Sequence, residues 1–390
     1  MRILLFTGKG GVGKTTLAAA TAARLAADGR KPLVVSTDPA HSLADAFGTG
    51  LGPDPSEVDA GLYASHVDAR VLVDRSWRDL RDAARSVLRD AGLDEIDAEE
   101  LTVLPGVDEL LALTEVARYA AGGPWDVLVV DCGPTAETLR LLALPEAVHR
   151  YVDGAARRTA PPGTAPPSAP RVPSPAAAAA LRRLATHLGQ LRTLLTDPRR
   201  SSVRLVLTPE RMVVAETRRT LSVLALRGVQ VDCLVANRLV PRARRWHGPA
   251  AGWLRARRTE QDAVLAELAT SSPLRIRPVE HRATEPIGVP ALLELADELY
   301  AGLDPLDGLT APTVPLLRVE PGPGGYRLAV ALPISDSTVL DLARIGDDLA
   351  VTVDGERRII ALPAMLRRYP VIGADADTDG IVVRFGPDPA

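Results

Sequence analysis

Cysteine, methionine and lysine are all scarce in this chain. Its 390 residues include two cysteines, Cys132 and Cys233, far apart in sequence. Without a CxxC or a His/Cys cluster, the spacing implies neither a disulfide framework nor a structural zinc. The formal net charge is −3, so there is no strong overall field and no support for a nucleic-acid partner, which usually demands a basic patch. No apolar run is long enough to span a bilayer. The opening "MRILLFTGKG" sets one arginine before apolar residues, but the run is too short for a secretory signal and ends in glycines. The expected location is the cytoplasm. What is abundant is apolar: 46% of residues are hydrophobic, an ordinary globular composition, and the length of 390 residues is enough for two domains and a substantial core.

Of 46 basic side chains only three are lysines: Lys9, Lys14 and Lys31. Two of them lie within one glycine-rich stretch. In a chain that otherwise uses arginine, a retained lysine points to a task the planar guanidinium serves poorly. A compact ammonium fits among phosphate oxygens.

The pattern along the chain predicts an α/β fold, a parallel sheet with helices on both faces. "RILLFT", "LVVST" and "WDVLVVDC" read as buried strands, followed by "VRLVLTPE", "VDCLVANR" and "PLRIRPVE". Between them lie helical stretches: "KTTLAAATAARLAADG" closed by Gly29, residues 71–122, "RMVVAETRRTLSVLALRG", "TEQDAVLAELA" and "GVPALLELADELYAGL". Residues 159–176 are Pro/Ala-rich and predict a flexible segment. After residue 305 the character changes to short strands with Gly, Pro and Asp turns: "LLRVEPGPGGYRLAVALP", "DDLAVTVDGERRIIALP" and "GIVVRF". The expected organisation is a nucleotide-binding domain over 1–305 and a small all-β sandwich over 306–390.

Gly8-Lys9-Gly10-Gly11-Val12-Gly13-Lys14-Thr15 fits G-x-x-x-x-G-K-[ST] between a strand and a helix. In such a loop backbone N–H groups converge on phosphates at a helix N-terminus. Lys14 is expected on the β- and γ-phosphates of ATP and Thr15 on Mg²⁺, with Thr16 beside them. No second copy of the loop occurs in the sequence.

With Lys9, "KGGVGKTT" is a deviant Walker A loop and resembles those of the MinD, ArsA and nitrogenase iron-protein class. In that class the first lysine crosses to the nucleotide of the other subunit, which implies a homodimer and a catalytic Lys9. "STDPAHSLADAF" (36–47) resembles switch I of the ArsA family of arsenite-pump and tail-anchored-protein-targeting ATPases. There Asp38 would orient the attacking water, and His41 and Ser42 would shape the loop. "VVDCGPTAETLRLLALPE" (129–146) resembles the family's switch II. The resemblance implies that Asp131 holds Mg²⁺ through water and that Gly133, Pro134 and Thr135 sense the γ-phosphate. Gly133, Ala136 and Glu137 depart from the family pattern, and Ala136 removes a glycine from a segment that must move. Asn237 in "VANR" matches the family's adenine-side asparagine. Pro278 and Val279, in "RPVEHR", match its purine loop. "PERMVVAETRRTL" places Glu210 and Glu216 near the implied subunit boundary. The segment around "YRLAVALP" is similar to the α-crystallin-like domain of small heat-shock proteins, which some ArsA-type chains carry.

Three functions follow from this resemblance. One is a nucleotide-driven dimer that holds a hydrophobic protein client, such as a membrane-protein segment. A second is an ATPase that regulates or assembles a partner through the β-domain, with no client groove. The third, an arsenite-pump subunit, is disfavoured because trivalent arsenic wants clustered thiolates. A client groove is commonly methionine-rich, and this chain has three methionines including Met1.

Overall fold

The structure, a computed structural model, describes residues 1–37, 42–67, 107–131, 175–242, 248–270, 272, 274–307, 317–322, 324–331, 338–377 and 380–387. Asp38, His41, Cys132 to Glu137, most of the predicted helical stretch 71–122 and the Pro-rich front of 159–176 lie outside the described residues.

The larger sheet has eight strands in the order β3-β4-β2-β5-β1-β6-β7-β8. They are β1 (Arg2–Thr7), β2 (Pro32–Ser36), β3 (Ser56–Asp59), β4 (Leu62–His66), β5 (Val127–Asp131), β6 (Ser201–Leu207), β7 (Val231–Leu239) and β8 (Arg275–Glu280). Seven are parallel, as expected, while the edge strand β3 runs antiparallel to β4. The β3–β4 hairpin was not predicted from sequence. Its tight turn at Ala60-Gly61 is held by Asp59 and Glu57, whose carboxylates accept from the turn's N–H groups at 2.8 and 2.9 Å.

Successive residues of a strand face opposite sides, and here each side has its own core. Leu4, Phe6, Val34 and Val129 pack with α1 (Lys14–Ala27) and the late helix over Val289–Tyr300. Ile3, Leu5, Leu33, Val35, Leu128 and Val130 pack with the helices over Val107–Gly122, Pro175–Thr196 and Arg211–Arg227. In chain order the helices are α1, α2 (Ser42–Phe47), α3 (Val107–Gly122), α4 (Pro175–Thr196), α5 (Arg211–Arg227), α6 (Pro249–Thr270) and α7 (Val289–Tyr300). Helix α4 begins at Pro175, inside the stretch expected to be flexible. Proline is favoured in a first helical turn, where its missing N–H costs nothing, and the alanine run behind it propagates the helix.

The C-terminal strands are β9 (Leu317–Gly322), β10 (Gly325–Ala331), β11 (Leu340–Ile345), β12 (Asp348–Val353), β13 (Glu356–Ala361), β14 (Val371–Asp377) and β15 (Gly380–Phe385). They form two antiparallel sheets, β14-β15-β10-β9 and β11-β12-β13. Leu328, Val330, Ile381, Val383 and Phe385 of the first share a core with Leu349, Val351, Val353 and Ile360 of the second. Leu226, at the end of α5, belongs to that same core. The α/β unit therefore lends a side chain to the β-unit.

Candidate nucleotide site

The glycine loop leaves the end of β1 and enters α1 at Lys14. Two of its glycines are dictated by their surroundings. A Cβ on Gly8 would lie 2.1 Å from the Val206 carbonyl oxygen, and one on Gly13 would lie 2.4 Å from Asn237 Nδ2, where φ is also +95°. Gly10 and Gly11 face open space. The side chain of Val12 is buried in the core, and its carbonyl accepts a hydrogen bond from Asn237 Nδ2 at 2.8 Å. The loop is thus pinned from below and bare above, a shape that leaves backbone N–H groups accessible to an anion.

Lys14 is buried, and its ammonium donates to the Lys9 carbonyl at 3.3 Å. Lys9 itself turns outward: its ammonium pairs with Glu216 of α5 at 3.3 Å. The two loop lysines therefore point to different places. Glu210, at the start of α5, pairs with Arg257 of α6 at 3.3 Å.

Beside the loop, four oxygen-bearing side chains converge. Thr15 Oγ1 donates to Asp131 Oδ2 at 2.7 Å and lies 3.1 Å from Ser42 Oγ, while Ser36 Oγ donates to the same Asp131 oxygen at 3.1 Å. Asp131 ends the buried strand β5 and is fully buried. Hydroxyl and carboxylate oxygens are hard donors, the set that suits Mg²⁺. The residues present fit a Mg²⁺-bound triphosphate: oxygen donors next to a bare loop at a helix N-terminus. Sequence reasoning left Ser42 without a ligand role and did not single out Ser36. Only the end of the apolar "LVVS" run, next to β5 in a parallel sheet, could have marked Ser36.

A cleft of about 450 Å³ continues from Gly13 and Thr16 to Asn237, Arg238 and the segment Glu280–Ile287. The two residues expected on the purine side, Pro278 and Val279, are not among those that line this cleft. Val279 is fully buried in the core, Pro278 is exposed on the edge strand β8 opposite Ala236, and the cleft wall is the chain that follows them. Asn237 does line the cleft, but its amide also braces the loop through Val12.

Beneath the site runs a buried polar network that sequence reasoning missed. Arg204 of β6 is paired with Asp232 of β7 at 3.1 Å and donates to Tyr300 Oη at 2.6 Å. Tyr300 in turn meets Thr21 of α1 at 2.5 Å. Burial alone would lower the Arg204 pKa, but Asp232 outweighs it and holds the guanidinium above its ordinary value. Burial pushes the neighbouring Cys233 thiol up to about 12.

Residues 1–301 match the family model described as "Anion-transporting ATPase", and residues 323–385 match "HSP20-like domain found in ArsA". A protein of Mycobacterium tuberculosis is 40% identical over 412 residues, covering 100% of this chain and 96% of its own. A "Putative arsenical pump-driving ATPase" of Chlorobaculum tepidum is 35% identical over 376 residues, 94% of this chain and 91% of its own. An "ATPase ASNA1 homolog" of Leishmania braziliensis is 34% identical over 179 residues, 37% of this chain and 44% of its own. This chain belongs to the ArsA family of anion-transporting ATPases, and it carries the HSP20-like domain found in ArsA.

Proposed function

We propose that the chain is a Mg²⁺-dependent, homodimeric ATPase switch of the cytoplasm that binds a hydrophobic protein client in step with its nucleotide state. Lys14 and the loop N–H groups hold the triphosphate. Thr15 and Asp131, with Ser42 beside them, hold Mg²⁺, which neutralises charge developing on the phosphates. Asp38 orients the attacking water, and Gly133 and Pro134 follow the γ-phosphate. Lys9 serves the nucleotide of the partner subunit.

The observation that carries this reading is the divergence of the two lysines. Lys14 stays buried in its own loop, whereas Lys9 is half-exposed and held away from it by Glu216. A cation so placed is available to a second loop facing it across a two-fold axis. The family that the switch segments resemble includes tail-anchored-protein-targeting ATPases, and the partial likeness to the Leishmania "ATPase ASNA1 homolog" supports a protein client. The arsenical alternative rests on the names of relatives. Among the described residues the one thiol, Cys233, is buried and held protonated, the wrong state for a soft-metal ligand.

The test is nucleotide-dependent exposure of apolar surface. The fluorescence of a hydrophobic dye, or binding of an apolar helical peptide, should differ severalfold between the ADP state and a non-hydrolysable ATP state. Equal signals in both states, with ATP hydrolysis intact, would leave the partner-regulating reading in its place.

A further inference from the structure

The cleft beyond the glycine loop contains an arginine with no assigned role. Arg238 follows Asn237 near the end of β7, and its backbone lies at φ +59°, in the left-handed region. Only three non-glycine residues among those described do so. For a residue with a Cβ this conformation is strained. The surroundings enforce it. The β7–β8 register breaks between Ala236 and Leu239, a bulge that opens the ladder at this pair. The Arg238 N–H donates to its neighbour's Asn237 Oδ1 at 2.9 Å, and its carbonyl faces the buried Gln261 amide at 3.4 Å. Gln261 is fixed in turn by the Val240 N–H at 2.8 Å.

At this bulge Arg238 is exposed and lines the cleft. The arginines around it are engaged: Arg282 with Glu298 at 3.1 Å, and Arg258 with Glu280 and Asp262 at 2.9 Å. Arg238 makes no side-chain hydrogen bond or ion pair among the described residues. Strain that presents an unpaired, planar cation in a cleft is the signature of a ligand contact.

We infer that Arg238 stacks its guanidinium on the base of the bound nucleotide. This rests on the ATP reading above and names a contact that reading lacks. The phosphates belong at Lys14 and Thr15, so the nucleoside extends past Thr16 and Asn237 into the cleft that Arg238 lines. A guanidinium plane attracts the π-face of a base rather than its hydrogen-bonding edge. Arg238 therefore adds affinity without choosing between purines. It is a binding contact and not a participant in phosphoryl transfer.

The test compares the full-length parent with R238A, R238K and R238G, using ATP, ADP and GTP titrations and steady-state kinetics. R238A should weaken ATP and ADP binding about tenfold, raise KM by a similar factor and leave kcat within twofold. The ATP-to-GTP preference should not change. R238K retains the charge but not the plane and should recover little. R238G relieves the left-handed strain, so its melting temperature without nucleotide should equal or exceed the parent's while its affinity falls as in R238A. That combination separates lost contact from lost fold. Parental affinity in R238A, or full recovery in R238K, would overturn the stacking contact while leaving ATP binding intact. A parent that binds no ATP would overturn both readings.

Discussion

The hydroxyl of Thr15, on the first turn of α1, donates to Asp131 at the end of β5 across 2.7 Å, although 116 residues separate them in sequence. The parallel register of β1 on β5, with Phe6 opposite Asp131, sets the height of the carboxylate against the helix start. Both groups then reach one point beside the loop. If Thr15 holds Mg²⁺ as proposed, removing the hydroxyl removes that ligand, and it leaves a buried carboxylate with one donor fewer. Thr15→Ala should lower kcat/KM for Mg-ATP on the order of a hundredfold, and Thr15→Ser should stay within a few-fold of the parent. Titrating Mg²⁺ in the ATPase assay checks this. An unchanged Mg²⁺ requirement in Thr15→Ala would contradict it.

The Arg204–Asp232 pair predicts a stability effect. Both side chains are almost fully buried, so breaking the pair strands a charge away from water. Arg204→Met should cost about 3–5 kcal/mol, whereas Arg204→Met with Asp232→Leu should recover much of that loss. Denaturant unfolding of the three chains measures it. Equal losses in the single and double variants would mean that the cost is packing alone.

Leu226 predicts what the β-unit does for its neighbour. Cutting the chain near Leu309 leaves every named phosphate and base contact in place, so ATP affinity should be kept. It also uncovers Leu226, which is buried against the β-core. The truncated chain should lose roughly 1.5–3 kcal/mol of stability from that side chain, and Leu226→Gln in the truncated chain should restore solubility. Calorimetric ATP titration and thermal unfolding separate the two effects. Lost ATP affinity would show that the β-unit completes the site.

Much of this was legible in the sequence, for a physical reason. Strands buried on both faces read as unbroken apolar runs, and the glycine loop must be written in glycine where Val206 and Asn237 approach its backbone. Edge strands gave weaker signals. β3, β11 and β14 are half-exposed, polar or short, so their pattern resembles that of loops. On the purine side, Val279 packs in the core with Leu295, and the cleft is lined by the residues that follow it in the chain. Arg204, Asp232 and Tyr300 lie far apart in sequence, and no local spacing announces that β6, β7 and α7 bring them together. The third lysine became clear only in three dimensions. Lys31 sits over the rings of Tyr63 and Trp125, at 5.0 and 5.3 Å from their centroids, a cation–π contact rather than a phosphate ligand.

The central claim is that Lys9 acts on the partner's nucleotide, and mixing two inactive variants tests it most directly. Lys14→Ala should abolish nucleotide binding. Lys9→Ala should bind ATP nearly as the parent does, yet hydrolyse it more than about a hundredfold more slowly, the scale of a cation supplied in trans. In a mixed dimer the Lys9→Ala subunit holds ATP and faces an intact Lys9 from the other chain. Hydrolysis should therefore return on mixing, limited to one site per mixed dimer. If mixed dimers form and no activity returns, Lys9 does not act across the interface.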